Sequence, residues 1–182
     1  MKTTYDERKF TELVLHVACH LQGDGAGGAT KLNKILYFAE FAHVRRTGRP
    51  ITGATYQKLE HGPAARCLRP VRDKLIANGE ASLVTEEFLG YQQHRLVPLR
   101  EADLCVFSAD ELATIDKVLD DLSGLNARQV SDLSHDEAGW RLVDFGDDIP
   151  NEAALVGARQ VSTPTSRRLE KEAAERLGLL SA

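Results

Sequence analysis

Residues 30–47, TKLNKILYFAEFAHVRRT, carry apolar side chains on almost every side of a helical wheel. One stripe recurs at helical spacing and contains Leu32, Ile35, Leu36, Ala39 and Ala42. Further apolar residues lie on the other sides, namely Tyr37, Phe38, Phe41 and Val44. Because a helix that is apolar all round is buried all round, the pattern predicts a central helix. Gly48 and Pro50 end it, and Lys34 is predicted at its edge with the ammonium in solvent.

A first, amphipathic helix is predicted over residues 5–21. Its apolar face repeats with the helical period and contains Phe10, Leu13, Val14, Val17, Ala18 and Leu21. The opposite face carries Lys9, Glu12, His16 and His20. Asp6 is a candidate N-cap. The glycine-rich residues 23–28 follow without a preceding strand or a G-K-[ST] motif, so they predict a flexible connection and not a phosphate loop.

The segment 51–60 has no helical period and alternates as a short strand does. His61-Gly62-Pro63 predicts a sharp turn after it, with Pro63 as the first residue of a helix. Since Pro70 interrupts that helix, we expect a short helical turn from Pro63 and a second piece over residues 70–78.

Two further short strands are predicted over residues 82–85 and 93–99, joined as a β-hairpin. Pro98 indicates an edge position, because proline cannot donate to a ladder. Helices followed by a hairpin resemble a winged helix in outline.

The remaining segments are helical. Ser108 and Glu111 have the spacing of a capping box, and Asn126 and Gln129 have capping spacing at the next helix, 126–134. A last short helix is predicted over residues 150–156.

The composition changes after Gly157. We predict a main domain over residues 1–157, then a linker and C-terminal amphipathic helix over 158–182. The predicted fold class is mainly α (α+β): a helical domain around a buried central helix, a small β-hairpin or short sheet, and a helical tail.

Composition narrows the class of protein. The 182 residues are 42% hydrophobic and 27% charged, as in soluble globular domains. No apolar run approaches the roughly 18 residues of a membrane span, and the N-terminus lacks a secretory signal. The three cysteines are an odd number without C-x-x-C spacing, which argues against a disulfide framework or zinc ribbon and predicts a cytoplasmic protein.

The net charge of −4 is unevenly distributed. Residues 31–100 carry +6, whereas residues 101–160 carry −10. Each half could therefore meet a partner of opposite charge, or the two halves could lie against each other and partly cancel. The sequence leaves both alternatives open.

The candidate chemistry is sparse. No G-x-S-x-G or H-E-x-x-H motif is present, and we predict no catalytic residue, cofactor or metal. The sharpest cluster, His135-Asp136-Glu137, could bind a metal or transfer protons. Adjacent helical residues point in different directions, however, so the favoured interpretation is that His135 closes its helix by hydrogen bonding.

Four blocks occur in order along the chain: KLNKILYFAEF (31–41), RTGRPITGATYQKLEHGP (46–63), VSDLSHDEAGW (130–140) and IPNEAAL (149–155). Together they resemble the SocA-like or Panacea antitoxin-domain family, over about residues 8–156. The resemblance implies a mostly helical domain with a small β element, and no catalytic residues carry over from it. Together with the lack of a catalytic motif, this predicts a protein that is not an enzyme. The resemblance also implies a phage-associated or toxin–antitoxin role, in which the chain neutralises a cognate protein toxin by binding it.

At least one member of this family acts as an adaptor that delivers its toxin to an ATP-dependent protease, which adds a second possible partner. Eight motif positions carry over as candidate partner-binding residues: Lys34, Tyr37, Tyr56, Gly62, Pro63, Ser131, His135 and Trp140. The class of toxin does not carry over.

Two other functions are weighed against the antitoxin hypothesis. A winged-helix-type DNA-binding regulator would use the basic middle of the chain and bind duplex DNA in a salt-dependent way, although the overall acidic charge disfavours it. A hydrolase would use His135 with its neighbouring carboxylates.

Overall fold

A long central helix, α2 (Ala29–Thr47), organises the structure. The computed structural model describes residues 4–88 and 90–156. The other helices are α1 (Glu7–His20), α3 (Leu68–Ala77), α4 (Ala109–Leu122), α5 (Ala127–His135) and α6 (Ala138–Leu142). The strands are β1 (Tyr56–Leu59), β2 (Gly62–Ala65), β3 (Ala81–Phe88), β4 (Tyr91–Pro98) and β5 (Asp148–Ile149). The predicted fold class, mainly α with small antiparallel sheets, is confirmed.

Burial of α2 confirms that it is the central helix. It packs against α1, α4, α5 and β2, and against the 3₁₀ helix Asn151–Leu155. Gly48 ends it with φ of 76°, and its amide donates to the carbonyl of Val44 over 2.8 Å. The helix is therefore enclosed by most of the described elements.

Helix α1 begins and ends within two residues of the prediction, and Asp6 is its N-cap, accepting from the Lys9 amide over 2.9 Å. Its polar face is not uniformly solvated. Glu12 is buried. Its carboxylate accepts hydrogen bonds from two nitrogens of Arg100 and from the Asp103 amide, each at 2.8 Å, and these offset the loss of hydration. The helical period predicts that Glu12 lies opposite the apolar face of α1, but it cannot show that Arg100 covers and neutralises this carboxylate.

The glycine-rich connection between α1 and α2 is held more closely than predicted. Arg95 on β4 donates to the carbonyls of Leu21 and Asp24. A Cβ atom added at Gly27 would lie 2.8 Å from the Arg95 guanidinium, and one at Gly28 would lie 2.9 Å from the Gln93 side-chain oxygen. A Cβ at Gly27 would also lie 2.6 Å from the backbone carbonyl oxygen of Leu21, so glycine is required there by the turn of the connection itself. The contacts with β4 correct the expectation of a simple flexible connection.

The segment after β1 is a strand and not a helix. β2 pairs with β1 in antiparallel register, with Leu59 opposite Gly62, and β5 pairs on the other side in the order β2-β1-β5. The prediction that Pro63 opens a helix is wrong, because Pro63 lies in this edge strand, where a missing amide is tolerated. Helix α3 starts at Leu68 and includes Pro70 in its first turn.

The β3–β4 hairpin confirms the predicted strand pair but is longer. The ladder continues to Phe88 opposite Tyr91, so most of the predicted connecting segment belongs to the strands. Strand β3 follows α3 and contacts it, and strand β4 packs against α1 and α2.

Helix caps in the second half follow the sequence prediction. Ser108 with Glu111, and Asn126 with Gln129, form capping boxes at α4 and α5. The predicted last helix is a 3₁₀ helix over Asn151–Leu155, while α6 and β5 are not predicted. The predicted linker and C-terminal helix lie outside the described residues.

Ion pairs between the basic and acidic halves support the interpretation that these halves partly cancel. Arg45 pairs with Glu137, Arg46 with Asp110 at 3.2 Å, and Arg66 with Asp148 at 2.5 Å. All three cysteines are free thiols. Within the described ranges, no helix has both the length and the apolar character needed to cross a bilayer.

Candidate functional site

The turn between β1 and β2, taken with the strand residues that flank it (59–63), brings together six of the eight residues predicted from the family motifs. We call residues 59–63 the hairpin turn. Helices α2, α5 and α6 each contribute side chains that bind its backbone. Its position is therefore fixed by the helices around it and not by the two short strands alone.

Helix α2 holds the hairpin turn through two consecutive residues. The Lys34 ammonium donates to the Pro63 carbonyl over 2.8 Å, and the Asn33 side-chain amide donates to the same oxygen over 2.9 Å. The side-chain oxygen of Asn33, Oδ1, accepts from the Ala65 amide at 3.2 Å. The Asn33 side chain therefore pairs with the free edge of β2 as a neighbouring strand would. Sequence reasoning did not identify Asn33.

Lys34 is only 2% exposed, which corrects the prediction of an ammonium in solvent. The side chain packs against Gly62 of the hairpin turn, so the ammonium group is buried inside the protein. Burial lowers the pKa of Lys34 to about 8, because the charged form loses its hydration. Lys31, one turn earlier and equally buried, has a counter-ion in Asp24 at 2.5 Å.

Helix α5 contacts the hairpin turn with two serines. Ser131 donates to the His61 carbonyl over 3.3 Å, and Ser134 donates to the Ser131 carbonyl over 2.6 Å. Gly62 has φ of 93°, and a Cβ there would collide with the Ser134 hydroxyl and lie 2.8 Å from Lys34 Nζ. Glycine is required at this position by both its conformation and the lack of space.

Helix α6 completes the contacts with Trp140, whose indole N–H donates to the Leu59 carbonyl over 3.1 Å. The Lys58 ammonium lies 4.4 Å from the centroid of the Trp140 ring, and the His135 ring centroid lies 4.3 Å from it. These contacts fix the tryptophan at the end of the β1–β2 hairpin.

The cluster His135-Asp136-Glu137 does not converge. The His135 ring stacks on Trp140, and its Nε2 has no hydrogen-bond partner within the described part, whereas Glu137 pairs with Arg45. The expectation that His135 closes its helix by hydrogen bonding is thus replaced by stacking. In residues 4–88 and 90–156, no group of three or more His, Cys, Asp and Glu side chains is arranged to hold a metal ion.

Tyr37 and Tyr56 lie in the core below the hairpin turn. Both are fully buried, their ring centroids are 5.4 Å apart, and burial raises the pKa of each hydroxyl. Neither hydroxyl has a hydrogen-bond partner among the described residues. In this conformation both rings support the hairpin from inside, and their contact with a partner stays a prediction.

Glu40 is a buried residue that sequence reasoning missed. Its carboxylate accepts from the Ile51 amide at 2.7 Å, from the Thr52 amide at 2.9 Å, and from the Thr52 hydroxyl. Burial raises the pKa of Glu40 to about 7, against the opposing effect of these hydrogen bonds. Glu40 thereby anchors to α2 the chain that leads into β1.

A pocket of about 420 Å³ opens directly over the hairpin turn. We call it the turn pocket, and its lining residues include Lys34, Gly62 and the exposed Phe145. Ala29 and Thr30, in the first turn of α2, border it on another side. Phe145 was not predicted, and its one sequence signal is an aromatic residue within the acidic segment VDFGDD.

The geometry defines a class of protein: a mainly helical domain in which three helices hold a short hairpin below an open pocket. The family model described as "Antitoxin SocA-like, Panacea domain" matches residues 32–141, more than half of the chain. The protein belongs to this SocA-like Panacea antitoxin family. All eight residues carried over from the motifs lie inside the match. No curated protein and no solved structure gives a match to the chain.

Proposed function

We propose that the protein is a non-enzymatic antitoxin that neutralises a cognate protein toxin by binding it directly. Membership of the SocA-like Panacea antitoxin family is the observation that carries this proposal. The unpaired cysteines are in keeping with a cytoplasmic site of action.

The surface around the hairpin turn supports a role in protein binding. Trp140 is half-buried there, and Leu142 and Phe145 are exposed just after it. Aromatic side chains are enriched in protein–protein interfaces, and tryptophan is among the residues that most often contribute a large share of the binding energy. The family's motif residues hold this surface in place from below.

The β3–β4 hairpin gives little support to the DNA-binding alternative. A DNA-binding wing needs exposed lysine or arginine side chains to contact phosphates. Arg95 is the one such residue in the sequence 81–98, and it is buried against the glycine-rich connection. We therefore favour protein binding over a duplex contact.

The decisive experiment is co-expression with the product of the adjacent gene. We expect that product to arrest growth alone, to lose toxicity when this chain is present, and to co-purify with it. An adjacent product that is harmless alone, or that forms no complex, would contradict the proposal.

The fate of the bound toxin distinguishes simple occlusion from delivery to a protease. Toxin half-life should be measured with and without this chain, in cells that contain or lack their ATP-dependent proteases. A toxin that remains stable in the complex indicates occlusion. Degradation that requires both this chain and a protease indicates an adaptor.

A further inference from the structure

Lys34 differs from the other buried cations by having no carboxylate partner. Lys31 pairs with Asp24, and Arg95 pairs with Glu86 at 3.0 Å. Among the described residues, the Lys34 ammonium has one acceptor, the Pro63 carbonyl, and no carboxylate within salt-bridge distance. An ammonium carries three donors, so two N–H groups of Lys34 remain without an acceptor there.

The same pocket borders a second source of positive potential. Ala29 and Thr30 are the first residues of α2, a helix of 19 residues, and both line the turn pocket. The N-cap is Gly28, which offers no side chain to accept from the amides of the first turn. These amides and the helix dipole favour an anion at this end of α2.

The rest of the lining restricts the kind of anion. Phe145 is 67% exposed and Leu59 half-buried, so the pocket has an apolar wall beside its basic floor. His61 and Glu60 are the other ionisable residues in the lining, and both are exposed at the rim. A carboxylate on a short apolar stem fits this combination better than a fully hydrated inorganic anion.

We propose that the turn pocket receives an aspartate or glutamate side chain of the protein partner. The carboxylate accepts hydrogen bonds from Lys34 and lies at the first turn of α2, while Phe145 covers its stem. This inference rests on the proposed function, because the partner that supplies the carboxylate is the toxin.

The energetics explain why such a residue suits binding and not folding. A buried cation without a counter-ion costs stability in the free protein. A partner carboxylate supplies the missing charge, so the interaction is formed only in the complex. Such a contact also rejects partners that lack an acid at the matching position.

The test compares the affinity of three variants for the purified product of the adjacent gene by calorimetry. Lys34→Met keeps the length of the side chain and removes its charge. We expect binding at least about tenfold weaker, with a smaller salt dependence. Phe145→Ala removes an exposed wall that folding does not need, and we also expect weaker binding. Lys117→Met, at an exposed position on α4, is the matched charge control and should bind as wild type does.

The outcomes separate the two proposals. If wild type forms no complex, the proposed function is overturned and this inference with it. If wild type binds the partner, and Lys34→Met and Phe145→Ala both bind it as tightly as wild type does, this inference alone is overturned. The inference is likewise overturned if millimolar inorganic phosphate raises the melting temperature of wild type but not of Lys34→Met, while partner affinity is the same for both.

Discussion

The two β-hairpins of this domain are held in contrasting ways. The β1–β2 hairpin has four residues in each strand, and side chains from three helices bind its turn. The β3–β4 hairpin has eight residues in each strand, and Tyr91 near its tip is 78% exposed. The short hairpin thus depends on tertiary contacts, whereas the long one carries most of its own ladder.

Each hairpin also contacts a buried cation, and the two cations differ. Arg95, 5% exposed, donates to three backbone carbonyls and pairs with Glu86. Lys34 donates to one carbonyl and lacks a counter-ion in the described part of the chain. Arg95 has the partners of a structural residue. The unpaired charge of Lys34 destabilises the folded protein, so folding alone does not explain a lysine at this position.

The largest difference in stability between the two hairpins should appear when the glycine in each turn, Gly62 or Gly90, is replaced. Gly62→Ala places a methyl group against Ser134 and Lys34 at φ of 93°, and we expect a loss of about 3 kcal/mol or more in the free energy of unfolding. Urea denaturation measures it.

Gly90→Ala is the matched control, because φ is 81° but no atom of the described residues lies within 4 Å of the added methyl group. Strain alone should cost about 1–2 kcal/mol. Equal losses in the two variants would show that the hairpin turn is not tightly held by α2 and α5.

The buried cations should respond to removal in opposite directions. Arg95→Met removes the guanidinium that donates to the carbonyls of Leu21, Asp24 and Gly25. Each carbonyl keeps a second amide donor, so we expect destabilisation of about 2 kcal/mol. Lys34→Met removes an unpaired charge, and we expect stabilisation of about 2 kcal/mol at pH 7, measured by urea denaturation.

The pH dependence of the Lys34→Met effect identifies its cause. The folded pKa, about 8, lies below the unfolded value, so between these two pKa values the unfolded chain binds more protons and wild type gains stability as pH rises. The variant's advantage should therefore be constant below pH about 8 and shrink above it. Glu60 and His61 also line the pocket but are present in both proteins, so they largely cancel in the difference. A difference that does not change with pH contradicts the assignment to Lys34.

The contrast between the hairpins also explains which parts of the fold the sequence predicts. The helical period and the capping residues place α1, α2, α4 and α5, and extended segments bounded by turns place β3 and β4. The residues of β2, GPAA, carry no strand pattern. Their conformation depends on Asn33, 30 or more positions away in the chain, which a local pattern cannot reveal.

The candidate site was predictable only in part. Family motifs supply Lys34, Gly62, Pro63, Ser131, His135 and Trp140, which the structure brings to the hairpin turn. They do not show that Lys34 is buried, because lysine in a helix is ordinarily solvated. Phe145 was missed because its relevance comes from the tertiary structure, which places the segment after α6 alongside β1 and Phe145 in the lining of the turn pocket.

The smallest effect is expected at the tip of the long hairpin. Tyr91 and Phe145 are both largely exposed aromatics; Tyr91 lies in the long hairpin, and Phe145 lines the pocket over the turn of the short one. Neither Tyr91→Ala nor Phe145→Ala should change the free energy of unfolding by more than about 0.5 kcal/mol, because little surface is lost from the core. Calorimetry with the adjacent-gene product should show unchanged affinity for Tyr91→Ala and weaker binding for Phe145→Ala. If Tyr91→Ala instead gives the larger loss of affinity, the partner docks on the long hairpin, and the short one serves the fold alone.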